Sequence, residues 1–75
     1  MDINENYMSA SSQNALIAAW LKSGNKLTSL EALNMFGCMR LASRIHDLRE
    51  KGMDIRSERI VTPSGKRVIQ YSLNL

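Results

Sequence analysis

The chain is short of the residues that most chemistry needs. It has one cysteine, Cys38, and one histidine, His46, in 75 residues. A lone cysteine excludes an internal disulfide and a cysteine-based metal site, and suits a reducing compartment. No carboxylate cluster, no paired histidine and cysteine, and no glycine-rich phosphate loop is present, so neither an enzyme nor a bound cofactor or metal is expected. No apolar run approaches 18 residues, so no membrane span is expected. The opening MDINENYMSASS has neither the basic start nor the apolar core of a signal peptide. A cytoplasmic protein is expected. Repeats, low-complexity tracts and linkers are also lacking. Seventy-five residues make one domain at most, close to the lower limit for an independent core.

What is present is unevenly charged. Residues 1–8 carry two acids and no base, and residues 9–35 carry Lys22 and Lys26 against Glu31. Residues 36–75 carry eight bases against four acids. The net charge of +3 is therefore concentrated in the second half, which suits an anionic partner.

Residues 1–10 read as a flexible leader, with Tyr7 and Met8 able to fold back on the domain or on a second subunit. Residues 11–75 read as the domain. Ser11 or Ser12 is a suitable N-cap for a first helix. Ala15, Leu16, Ala19 and Trp20 recur at helical spacing, widened by Ile17 and Leu21, with Asn14, Ala18 and Lys22 opposite. Ser23-Gly24-Asn25 ends that helix, and Trp20 reads as a core anchor rather than a stacking platform for a ligand. Lys26-Leu27 is a short extended link that can hold an extra strand. Thr28-Ser29-Leu30-Glu31 has the spacing of a capping box, with Leu27 and Ala32 at the staple positions. Leu30, Leu33, Met35 and Phe36 are expected in the core, and Gly37 ends the second helix. Cys38 to Lys51 is expected as the third helix, with Leu41, Ala42, Ile45 and Leu48 on one apolar face and Cys38 a small buried hydrophobe. Gly52 closes it. Ile55 to Val61 and Lys66 to Leu73 read as two strands around the turn Thr62-Pro63-Ser64-Gly65. The first strand looks like an exposed polar arm. Ile69, Tyr71 and Leu73 are the expected core contacts of the second.

The fold class is thus α+β: three helices followed by a two-stranded hairpin, with a short extra strand at residues 26–27. Helix, short link, short helix, glycine turn, longer helix and hairpin is the order of a winged helix-turn-helix, which points to double-stranded DNA. A recognition helix needs a packed back and a polar front. Opposite the apolar face of the third helix lie Met39, Arg40, Ser43, Arg44, Asp47 and Lys51. Arg40 and Arg44 suit bidentate bonds to guanine, or a clamp on a phosphate. Ser43 permits close approach. Asp47 can accept from cytosine N4 or orient Arg44 or Lys51, and repulsion from phosphates favours orientation. Base readout is assigned to Arg40, Ser43, Arg44 and Asp47. Backbone contacts are assigned to Thr28 and Ser29 at the second helix, to Lys51, and to Ser64, Lys66 and Arg67 on the wing. The bland alternatives are a solvated helix face of i,i+4 pairs and a hairpin charged for solubility. His46 reads as structural or solvated.

The stretch AWLKSGNKLTSLEALNMFGCMRLASRIHDLREKGMDI resembles a family of small helix-turn-helix proteins common in bacteriophages and prophages. The residues that carry the likeness are Trp20-Leu21, Leu27-Thr28, Glu31-Ala32-Leu33, Phe36-Gly37-Cys38, Arg40-Leu41-Ala42, Arg44-Ile45, Asp47-Leu48 and Gly52. They cover about half the chain, and the hairpin resembles that family's wing. The resemblance implies a winged fold and DNA binding in a bacterial host's cytoplasm. It does not choose among a transcription regulator, an architectural or excision-type DNA-bending protein, and a module that binds a host or phage protein. Useful specificity from so small a reader suggests a homodimer. In an interaction module, Met35, Met39, Met53, Tyr7 and Met8 would be the contact residues.

Overall fold

The computed structural model describes residues 9–74; the fold-back expected of Tyr7 and Met8 lies outside them. The order is α1 (Ala10–Lys22), β1 (Leu27–Thr28), α2 (Ser29–Phe36), α3 (Leu41–Glu50), β2 (Ile55–Val61) and β3 (Arg67–Leu73). This is three helices and a small antiparallel sheet, the winged helix-turn-helix arrangement that the sequence predicts.

α1 opens earlier than expected. Ser9, not Ser11 or Ser12, is the N-cap, and its side chain accepts from the Ser12 N–H. The buried face is as expected at Ile17 and Leu21 but differs elsewhere: Asn14 points inward with them, while Ala15, Leu16 and Ala19 are exposed. The spacings 3 and 4 between these buried residues are as helical as those of the expected stripe. In an alanine-rich helix the apolar contrast is weak, so the packing partners choose the face. Trp20 is half-buried edge-on to Phe36, with ring centroids 6.2 Å apart, and its Nε1–H donates to the Lys26 carbonyl at 3.0 Å. That bond holds the link into the sheet, which begins at Leu27 rather than Lys26.

The sheet runs β1-β3-β2, with Leu27 opposite Tyr71 and Ser57 opposite Tyr71 on the other side. β2 is therefore an edge strand. The hairpin turn forms as expected, with the Gly65 N–H donating to the Thr62 carbonyl at 2.8 Å.

The α2 capping box is complete: Glu31 N–H donates to Thr28 Oγ1 at 3.3 Å, and Thr28 N–H donates to Glu31 Oε1 at 2.9 Å. The face of α2 is not as expected. Ala32 is fully buried, whereas Leu30, Leu33 and Met35 are exposed. A small residue at the contact lets α2 lie close against the core, which then cannot also cover the leucines on its flanks. Gly37 ends α2 in the left-handed region (φ 64°), and the Cys38 N–H returns to the Ala32 carbonyl at 3.1 Å.

α3 starts at Leu41, not Cys38. Cys38 is buried in the turn, and Arg40 occupies the N-cap position with non-helical backbone. The bond that closes α2 over Cys38 directs this segment away from helical geometry. Leu41, Ile45 and Leu48 are buried as expected, but Ala42 is exposed. On the sheet, Ile55 joins the core, Tyr71 and Leu73 pack against it, and Ile69 is more exposed than expected. The wing projects past the helices, so its outer residues lose their cover.

A Cβ on Gly37 would meet nothing within 4 Å, so only backbone conformation resists substitution. Gly37→Ala is expected to lower stability by about 1 kcal/mol, read as a shifted urea midpoint with unchanged slope.

Candidate nucleic-acid interface

The turn before α3 places Met39 and Arg40 in solvent. Arg40 has no ion-pair partner among the described residues. Its guanidinium is therefore free to meet an anion.

Arg44 is set differently. Its side chain is 19% exposed, and Nη2 lies 3.4 Å from Asp47 Oδ2. The same carboxylate oxygen accepts from Asn14 Nδ2 at 3.4 Å. Asn14 is 7% exposed, so a buried amide on α1 and an arginine on α3 share one acid between them. Arg44 Nε and Asn14 Oδ1 are buried without a hydrogen-bond partner among the described residues. Asp47 thus bridges Arg44 on its own helix and Asn14 on α1. Asn14 was not legible as a partner. The sequence places it on the far side of α1, and 33 residues separate it from Asp47.

Ser43 is half-buried beside Arg44, while the outward ridge of α3 is formed by Ala42, His46 and Glu50, one turn apart. His46 Nε2 lies 3.6 Å from Glu50 Oε2, an exposed contact. His46 therefore stands on the open ridge, the solvated one of its two expected placements. A shift of α3's buried stripe onto Leu41, Ile45 and Leu48 brings it there.

Arg49 is engaged with the protein itself. Its Nε and Nη2 donate to the Ile55 carbonyl at 3.0 and 2.7 Å, and its guanidinium sits 6.0 Å from the Tyr71 ring centroid. These contacts tie the end of α3 to the sheet and fix the wing against that helix.

Of the six residues assigned to the DNA backbone, four border one cleft. Thr28 and Ser29 from the start of α2 face Ser64 and Lys66 from the wing. Pairing of β1 with β3 brings these distant segments together. Thr28 Oγ1 is engaged in the cap, and Ser64 Oγ shares a 2.9 Å hydrogen bond with Thr62 Oγ1. Arg67 lies near Arg59 along the wing. Lys51 stands apart, with Ser11, Asn14, Asp47 and Glu50 on the α1 side. The wing therefore supplies a cationic rim next to hydroxyls. Arg40 supplies a cation at the other end of the helix-turn-helix.

Among the described residues no group of three or more His, Cys, Asp or Glu side chains could hold a metal ion. No described helix is long and apolar enough to cross a membrane.

A helix-turn-helix flanked by a basic hairpin defines a DNA-binding protein of the winged type. Residues 12–75 match the family model described as a winged helix-turn-helix domain, and the chain belongs to that family. It is thus a DNA-binding transcription regulator in general class, one that is typically non-catalytic. No curated protein and no solved structure matches the chain.

Proposed function

We propose that the protein is a phage- or prophage-type regulator that reads double-stranded DNA as a cytoplasmic homodimer. The start of α3 enters the major groove. Arg40 makes the principal base contact, Ser43 allows close approach, and Arg44 is oriented by Asp47. Thr28, Ser29, Ser64, Lys66 and Arg67 hold the phosphate backbone beside it, and Lys51 holds it on the α1 side. The observation that carries this reading is the convergence of Thr28, Ser29, Ser64 and Lys66 on one cleft next to the helix-turn-helix. Phosphate contacts fix register, and base contacts then select sequence.

The test is a salt series on random duplex and on the DNA upstream of the protein's own coding region. Affinity is expected to fall steeply with salt and to be higher for the upstream duplex. Arg40→Ala is expected to cost about tenfold on the preferred duplex and little on random DNA, since a bidentate base contact contributes roughly 1–3 kcal/mol of discrimination. Steep salt dependence without preference would make the protein architectural.

Met39 at 78% exposed and Met35 at 44% favour a second reading, a module that binds a host or phage protein through adaptable side chains. Absence of DNA binding even at low salt would leave that reading standing.

A further inference from the structure

We propose that the cleft between α2 and the wing is a binding site for a small amphipathic carboxylate, one with an aromatic or branched apolar body. The cleft has a volume of about 440 Å³. That lies within the roughly 300–1,000 Å³ of small-molecule sites. Leu30 forms one wall, Ile69 and Tyr71 form the sheet side, and Lys66 stands at the rim. Leu30 is 66% exposed although it is a leucine in the first turn of a helix. Its side chain, with Ile69, gives an apolar surface that no other described residue covers. Among the described residues Lys66 is the only charged one that lines the cleft, and it has no ion-pair partner among them. Among the described residues no acid lines the cleft. An apolar surface beside one unpaired ammonium and the Ser29 hydroxyl selects a molecule of the complementary kind: an apolar body ending in a single anionic group.

Such a ligand would have a consequence for DNA, and this part rests on the reading above. Ser29, Ser64 and Lys66 cannot hold a carboxylate and a phosphodiester at once. An occupied cleft therefore releases the backbone contacts of the wing, and the ligand acts as an inducer.

The test is a titration of the ¹⁵N-labelled full chain, without DNA, with indole-3-acetate and its neutral analogue indole-3-acetamide. Saturable amide shifts at Leu30, Lys66, Ile69 and Tyr71 are expected, with the acid binding about fivefold or more tighter than the amide. Lys66→Met, at an exposed position, is expected to make the two bind alike. Leu30→Ser is expected to weaken both. Equal binding of acid and amide to the unaltered chain would overturn the proposal, as would shifts centred elsewhere. So would the absence of saturation up to about 10 mM, a concentration at which even weak specific sites fill. Because DNA is absent, these outcomes do not depend on whether the DNA reading holds. A second arm adds the ligand to a preformed DNA complex. Displacement supports competition, and a complex unchanged by a ligand that demonstrably binds overturns it.

Discussion

Ile45→Ala is expected to leave the domain largely unfolded at 37 °C. Ile45 is 1% exposed, in the middle of α3, and belongs to the cluster of Ile17, Leu21, Leu27, Leu41 and Leu48. Removing a buried isoleucine to alanine costs about 2–5 kcal/mol, from lost transfer energy and from the cavity left behind. A core of this size supplies only about 3–5 kcal/mol in total. The loss is therefore comparable to the whole stability. Trp20 fluorescence against urea gives the measurement. Ala42→Glu is the control, expected to change stability by less than about 0.5 kcal/mol because Ala42 is exposed. Comparable damage from both would mean that α3 buries the face read from its sequence instead of the face observed.

The second large effect concerns DNA. Lys66→Ala combined with Arg67→Ala is expected to reduce the slope of log affinity against log salt by about 1.8, at roughly 0.9 per phosphate contact. At 0.1 M salt that corresponds to an affinity lower by about 60-fold, spread evenly over all sequences. Both residues are exposed, so the fold should be unaffected. Fluorescence anisotropy between 50 and 200 mM salt (about 10³–10⁵-fold loss is typical across it for many contacts) resolves the slope. An unchanged slope would remove the wing from the interface. A selective loss on one sequence would make it a base reader.

The ends of elements were more legible than their faces. Thr28 and Glu31 formed the capping box because its partners are three residues apart and need nothing else. Gly37, and the Pro63-Gly65 turn, likewise carry their own instructions. The faces of α1 and α2 depend on what packs there. Ala32 is fully buried while Leu30 is exposed, a reversal that hydrophobicity alone cannot encode. The start of α3 lies later than its helical periodicity suggests because the Cys38 N–H is drawn back to Ala32 in the cap of α2, a local bond that competes with helix for this segment. At the candidate site, residue types were legible and partnerships were not. The Arg44–Asp47 pair follows from i,i+3 spacing, but the Asn14 bond to Asp47 needs the packing of α1 on α3. Thr28 and Ser29 face Ser64 and Lys66 only because β1 pairs with β3.

The open edge of β2 has a bearing on how the protein behaves at high concentration. The Asn74 N–H bonds the Asp54 carbonyl, and the Thr62 N–H bonds the Lys66 carbonyl. In an antiparallel ladder this parity turns the backbone groups of Ser57, Arg59 and Val61 outward, as those of Ile55 would be. Arg49 already occupies the Ile55 carbonyl. A second copy pairing about Ser57 would have to displace Arg49 at both ends. Pairing about Glu58 sets glutamate against glutamate, and pairing about Arg59 sets arginine against arginine. These three registers each meet a specific obstacle, so the middle of the edge is guarded against pairing with a second copy.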